Sequence, residues 1–534
     1  MSFPNSPGTY DRTIDRSFVV SGSGLLAGGV VVSAKRGPVK IKTVTSAKEF
    51  INTYGVPSRD NPSLYAALRF LNRAGILSVR RVINDAVSAA GALDYYDPLL
   101  ATLSTPPALP EEGDAYIVGD DATGDWAGQE GKIATYTTGA WAFTDPDTHA
   151  IFTAANPGAW GNSVTVSFAS IVGAPSGVFA VIVKENGQEV ERFEVSRNPD
   201  AKNGFGANIY IEEVINNRSR YITVDDNPTV TADFNVAAVI TLADGADDTV
   251  APSSGDIVAA WDEFANVDEV PANILINAGW AVPAVQQKMT AIALARKDAV
   301  AILDVPEDDS YVVADILTYK DELALDSNVA GLYAGWLKIY DQYNDREVVI
   351  PPSGDVAGVF VHTVNVGERW DAPAGLQRGI IPNTLGVTKI FTEGERDQLY
   401  VNGVNPVTTF AGASAVVWGQ KTLQAQASAT DRFNVVNSVL WINQSIVKAL
   451  QPFVFEPNTS FTRDSVNYLI SSFLENVQLR GGLYGFSVDT SEDINTPFVI
   501  DNNQMMVDIY LKPTRTAEFI RVSTIITPTG VQLA

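Results

Sequence analysis

Residues 332–375, LYAGWLKIYDQYNDREVVIPPSGDVAGVFVHTVNVGERWDAPAG, constrain the fold of this chain more than any other stretch. An aromatic strand pattern runs into Pro351-Pro352-Ser353-Gly354, which reads as a rigid turn because each proline locks its own φ angle. A small-residue run follows, and Ala372-Pro373-Ala374-Gly375 closes the segment like a clamp. Almost nothing in it carries chemistry.

The chain has 534 residues, more than one hydrophobic core supports, so two to four domains are expected. Hydrophobic residues make up 46% and charged residues 19%, which argues against global disorder. No apolar run reaches the roughly 18 residues that cross a bilayer, and MSFPNSPGTYDRTIDRS lacks the pattern of a signal peptide. A soluble protein made in the cytoplasm, without membrane insertion, is the expectation. Cysteine is absent, which excludes disulfides, thiol nucleophiles and cysteine-ligated zinc. His149 and His362 are the only histidines, too few for a histidine-rich metal site. The formal charge of −25 repels phosphate backbones, so nucleic acid is not an expected partner.

Along the chain, residues 1–20 read as an extended arm, with Pro4, Pro7, Gly8 and Tyr10. Residues 21–96 alternate short strands with helices. Ser46 caps one helix with Glu49 three residues on, and Asn61-Pro62 opens a second that ends at Gly75. Residues 97–155 turn Ala-, Gly- and Pro-rich with short aromatic strands, a compact β module inserted on the outer surface. Residues 156–250 are β-rich, with Asn186-Gly187 as a hairpin turn and Asp244-Gly245-Ala246-Asp247-Asp248 as a closing turn. Residues 251–392 alternate continuously apolar strands (273–277, 299–304, 329–334) with a helix opened by Pro283, its Val285, Met289 and Ile292 facing inward, and a helix at 311–325, the pattern of a parallel sheet covered on both faces. Residues 393–516 hold two long helices, ending at Pro452 and at Gly481-Gly482, and a strand at 504–511. An alternating terminal strand at 517–527 lies in the last segment, 517–534.

Three constellations have chemical potential. Gly22-Ser23-Gly24-Leu25-Leu26-Ala27 fits a dinucleotide fingerprint, but the chain continues as β where that motif needs a helix, so a glycine-rich turn is expected. The acidic run Glu307-Asp308-Asp309 reads as solvated loop charge. The order Asp304, His362, Ser414 matches the Asp–His–Ser order of subtilisin-like hydrolases. Against it, His362 falls in the strand-like VFVHTV, and Ser414 leads into a strand rather than a nucleophile-bearing helix. No catalytic residue, cofactor site or metal site is assigned.

The segment opened above resembles contractile tail sheath proteins of bacteriophages, in which a strand followed by "PPSG.VAG" and then "W.APAG" is a hallmark. Further motifs keep the same order: Asn156-Pro157-Gly158-Ala159-Trp160-Gly161-Asn162, Trp336, Gly403-Val404-Asn405-Pro406, Trp418-Gly419-Gln420-Lys421-Thr422-Leu423, Asn495-Thr496-Pro497 and Pro513-Thr514-Arg515-Thr516-Ala517-Glu518-Phe519-Ile520. The resemblance covers residues 1–85 and 156–534, and the insert near 97–152 is similar to a small module of phage tail proteins. Lys421 stands where the family usually has Arg and cannot make its bidentate carboxylate contact.

The resemblance implies a multidomain α/β plus β fold. Its parts are a central subtilisin-like α/β sheath domain, β-rich inserted domains and an α+β C-terminal domain with extended N- and C-terminal arms. It implies a homopolymer of stacked hexameric rings around a tail tube protein, with baseplate and tail terminator proteins as further partners. Contraction would drive the tube through the host envelope. It places the chain in the virion tail sheath, after assembly in host cytoplasm. The sheath of a bacteriocin or toxin-delivery particle is the alternative, and a subtilisin-like serine hydrolase a distant one. Pro7, Gly8, Tyr10, Ala517, Glu518, Phe519, Ile520 and Val522 are the expected assembly-arm residues, consistent with strand addition to neighbouring sheets. The inner surface is expected from the C-terminal domain, near the 462–480 helix.

Overall fold

The computed structural model describes residues 26–83, 102–108, 110, 114–130, 132–137, 139–144, 150–226, 239–247, 251–410, 414–519 and 521. They fall into two compact units, one within 1–30, 65–78 and 261–534, the other within 31–64 and 79–260. Pro7, Gly8, Tyr10, His149, Ile520, Val522 and the Gly22-to-Leu25 part of the dinucleotide-like run lie outside the described residues.

In the first unit the sheet strands are β1 (Gly28–Ser33), β2 (Leu77–Val82), β3 (Ile274–Ile276), β4 (Val300–Asp304), β5 (Ala330–Ala334), β6 (Val404–Thr409) and β7 (Ala415–Val417). β1 and β2 belong to it by their first residues. The order is β2-β1-β3-β4-β5-β6-β7. Neighbours from β1 through β6 run parallel, and β7 is antiparallel. Every residue of β3, β4 and β5 is buried, as a sheet covered on both faces requires. The helices are α1 (Pro62–Leu71), α2 (Pro283–Arg296), α3 (Val313–Leu323), α4 (Ser353–Val366), α5 (Phe433–Leu450) and α6 (Ser460–Leu479). Val285, Met289 and Ile292 of α2 face the core as their spacing predicts. α3 starts later than the sequence suggests because Asp308–Tyr311 winds into a 3₁₀ turn.

One expectation fails here. The VFVHTV run is helical, and His362 stands on α4 rather than on a strand. The physical reason is burial on all sides. Residues 351–361 are all buried, so the sequence carries no polar face from which a 3.6-residue period could be read.

In the C-terminal part, Trp441, Ile442, Ile446, Val466, Ile470, Phe473, Leu474 and Val477 join α5 to α6. The antiparallel pair Leu483–Asp489 and Asp508–Pro513 lays Phe486, Val488, Ile509 and Leu511 against them. The strand expected from Gln504 begins only at Asp508. The Asn495 side chain ties both backbone groups of Met506, which withdraws that residue from sheet pairing. Ala517, Glu518 and Phe519 are irregular rather than β, and most of the expected 517–527 strand lies outside the described residues.

The second unit centres on a four-stranded antiparallel sheet ordered Gln188–Ser196, Val178–Glu185, Val164–Ser170, Val239–Thr241. The Asn186-Gly187 hairpin is present, with Asn186 at φ 51°. Ser46 caps its helix through a hydrogen bond from the Glu49 amide. A smaller sheet, Thr102–Leu103, Ala115–Val118, Ile133–Thr137 and Ala140–Thr144, closes over Tyr116, Val118, Trp126 and Ala134.

Candidate functional site

Two arrangements in the first unit gather the residues singled out in the sequence. The first lies under the Pro-Pro-Ser-Gly motif. β4 ends at Asp304, which is wholly buried. Its carboxylate accepts from the Ser353 amide at 2.8 Å, the Ser353 hydroxyl at 2.6 Å and the Gly279 amide at 2.9 Å. Ser353 Oγ in turn accepts from the Ala278 amide at 2.9 Å. Gln286 bridges Asn277 and the Asp304 carbonyl, and Tyr319 donates to Gln286. Burial pushes the Asp304 carboxyl up to about 6, against the pull of the three hydrogen bonds. The motif therefore anchors α4 onto the carboxyl end of a parallel strand.

That geometry decides the hydrolase question. Asp304 holds Ser353, while His362 lies nine residues further along α4, roughly 13 Å down the helix axis at 1.5 Å per residue. An Asp–His pair cannot form across that separation. Burial and the Arg73 charge both lower the His362 pKa. Ser414 immediately precedes β7 and leads into that strand, as expected.

Beside it, α4 crosses α1 at Gly354, where an added Cβ would stand 2.2 Å from the Ala66 carbonyl oxygen. Only glycine allows that approach. Asp355 closes the crossing by accepting from Arg69 Nε at 3.0 and 2.9 Å, and Arg69 also donates to the Pro382 carbonyl.

The second arrangement is the root of the C-terminal segment. Arg432, one residue before α5, donates from Nε to both Glu518 oxygens at 2.8 and 3.0 Å. Gln420 donates to Thr516 Oγ1 at 2.8 Å and to Glu518 at 3.2 Å. Lys421 Nζ lies 4.7 Å from the centre of the Tyr400 ring. So Lys421 leaves the carboxylate contact to Arg432. Burial is the strongest single influence on Arg432 and opposes its charge, but the hydrogen bond and charge of Glu518, together with Tyr400 and Asp431, raise the arginine pKa. A cavity of about 210 Å³ opens here, lined by Asp431, Arg432, Asn434, Arg515, Glu518 and Phe519.

The other motif residues are packing elements. Trp336 is buried and donates to the Val305 carbonyl. Pro351, Pro352 and Pro373 are buried, Ala372 and Ala374 half-buried, and Gly375 opens a short helix. Trp418 is partly exposed against Phe410, and Gly419 follows it. Thr496 and Pro497 start a short helix beside the Asn495 tie. In the second unit, Trp160, Gly161 and Asn162 form a 3₁₀ turn in which Asn162 bonds Gly245 in both directions. Ala517 and Phe519 flank Glu518 and are exposed. Sequence reasoning missed Arg432, Gln420 and Tyr400 as the seat of Glu518, since nothing local to position 432 points to a partner 86 residues away.

Comparison with known proteins now bears on these arrangements. Residues 251–423 match the phage tail sheath protein central domain, and residues 425–527 the phage tail sheath C-terminal domain. Residues 84–160 match a protein family of unknown function, DUF2793. The tail sheath protein of Vibrio phage KVP40 is 31% identical over 387 residues, 67% of this chain and 56% of that protein. The chain thus matches little more than half the length of this relative. The sheath tail protein of Listeria innocua has a similar fold, with a TM-score of 0.58 at 12% identity, covering 92% of this chain and 96% of that one. The sheath complex of an extracellular contractile injection system in its contracted state gives 0.54 at 14% identity, over 98% of each chain. The chain belongs to the phage tail sheath family, structural proteins rather than enzymes, and carries the family's central and C-terminal domains in order.

Proposed function

We propose that the chain is the subunit of a contractile phage tail sheath, polymerising as stacked hexameric rings around a tail tube. On this reading, shortening of the polymer drives the tube through the host envelope for genome delivery. The carrying observation is the pair Leu483–Asp489 and Asp508–Pro513. Among the described residues these two strands have no third strand as neighbour; side chains of α6 take the Val488 and Tyr484 carbonyls of the first, which leaves the outer edge of Asp508–Pro513 as the side open to a further strand. A two-stranded ribbon is marginal alone, and open edges are templates for a strand from another chain. The segment leaving the second strand is seated by Glu518 on Arg432, a defined root for an arm.

The arms are residues 1–20, with Pro7, Gly8 and Tyr10, and 517–534, with Ala517, Phe519, Ile520 and Val522. The partners are further copies of the chain, the tail tube protein, and the baseplate and tail terminator proteins, in the virion after assembly in host cytoplasm. The domain boundaries read from the sequence, including a subtilisin-like central domain over 251–392, belong to this proposal. A second reading, the sheath of a related injection particle, is favoured by the fold likeness to the contracted injection-system sheath. DNA-filled heads on the particles distinguish the two.

The test is electron microscopy of the purified full chain. Long tubes are expected from the intact chain, and soluble monomers after deletion of residues 1–15. An intact chain that stays monomeric at high concentration defeats the proposal. A deleted chain that still forms normal tubes removes the N-terminal arm from it.

A further inference from the structure

In the second unit, strand register puts two loops at one end of the four-stranded sheet. Val178 pairs with Ser196 and Phe179 with Ser170, so residues 171–177 and 197–209 leave from the same end of the strands. Each loop carries an apolar side chain at its tip. Phe205 is 98% exposed, and Val172 is wholly exposed.

These tips are held. Val172 occupies a turn closed by Ala174 N donating to the Ile171 carbonyl, and Gly173, at φ 83°, supplies the left-handed residue the turn needs. A second turn, Val178 N to Pro175 O, closes that loop. Around Phe205, the Asn203 side-chain oxygen accepts from the amides of Phe205 and Ala207, both at 3.0 Å. The Asn203 amide donates to the Ala207 carbonyl, and the Gly206 amide to the Asn203 carbonyl, both at 2.9 Å. An aromatic ring on a loop already ordered loses little conformational freedom when covered, which is the property of an interface anchor.

We infer that this end of the sheet is a contact between copies of the chain, with Phe205 and Val172 as its anchors. Charge selects the occupant. Each copy carries −25, so copies approach most readily where neither presents carboxylates. Residues 171–177 and the 203–207 tip contain no ionisable side chain, and Asp200, the single carboxylate of the 197–209 loop, lies outside the tip with Lys202 two residues on. An anionic lipid surface is the poorer match, because such a surface is held by clustered Lys and Arg, and the 197–209 loop offers Lys202 beside Asp200, with Arg197 paired to Asp226. The inference rests on the polymer reading above and adds a surface that neither arm supplies.

The chain has no cysteine, so Phe205→Cys gives a single thiol to probe. Maleimide labelling of F205C is expected to be fast in free subunits and at least tenfold slower in tubes. A V172S/F205S double variant is expected to keep the wild-type melting temperature, since both side chains are already in water, and to need about tenfold more protein for tubes. Equal labelling of free and assembled F205C overturns the inference while leaving the sheath reading intact. Protection by phosphatidylcholine–phosphatidylglycerol vesicles but not by tubes overturns it in favour of a lipid partner. Failure of the wild-type chain to form tubes removes the sheath reading and this contact together.

Discussion

Asp304 shows how a side chain without catalytic work still carries an energetic signature. Its carboxyl is wholly buried and titrates near 6, above the ordinary value of 3.8, because burial disfavours the charge. The folded state therefore binds a proton more readily than the unfolded chain between about pH 4 and 6. The contribution of this group to stability falls as pH rises through that window and is level above it. An Asp304→Asn variant lacks the titration. The urea-unfolding free energy of wild type, measured against D304N, is expected to worsen on the order of 2–3 kcal/mol between pH 4 and pH 7. A difference that stays constant, or changes in the opposite sense, contradicts this account. Ser353→Ala, which removes one donor to Asp304 and the acceptor of the Ala278 amide, is expected to destabilise by about 1–3 kcal/mol at pH 7.

Among the elements, the α1–α4 crossing is where packing leaves no freedom. The Gly354 position faces backbone atoms of Ala66, which cannot swing aside as a flexible side chain could. Gly354→Ala is expected to lower stability by roughly 3 kcal/mol or to prevent folding. Gly394, in the helix Glu393–Val401, has open space around it, and Gly394→Ala should be neutral or stabilise by up to about 1 kcal/mol. Denaturation midpoints of the two variants, compared side by side, check the argument; equal effects refute it. Much at this level was legible. The continuously apolar strands placed the parallel sheet because both of its faces are covered, and the spacing of Val285, Met289 and Ile292 placed α2 because it keeps the helical period of one buried face. α4 was misread because burial on every side erases the period. The strand at 504 was misread because the Asn495 side chain, nine residues upstream, competes for its backbone.

For the molecule as a whole, the Arg432–Glu518 contact fixes where the C-terminal segment leaves the body. Both side chains are about one-fifth exposed, so the contact is worth about 1 kcal/mol, enough to hold the segment and weak enough to release it. Arg515 and Arg521 flank Glu518 and provide sites for an arginine-specific protease, to which a Glu518→Lys change adds none. Glu518→Lys is expected to speed cleavage there by roughly five- to tenfold, the factor that about 1 kcal/mol gives. The exchanged pair R432E/E518K should recover much of the protection. Unchanged cleavage in E518K would mean that Glu518 does not anchor the segment.

Local sequence was enough for the apolar strands of the parallel sheet, helices α1 and α2, the hairpin at Asn186-Gly187, the helix cap at Ser46 and the dominance of packing over reactive residues. Each depends on neighbours within a few positions, through backbone preference or a single period of burial. Folding alone decided that Asp304 meets Ser353 rather than His362, that Gly354 lies against Ala66, and that Glu518 finds Arg432. Those pairs join residues separated by 49, 288 and 86 positions, and the distance between such residues is set by how the sheet orders its strands, which no local propensity encodes.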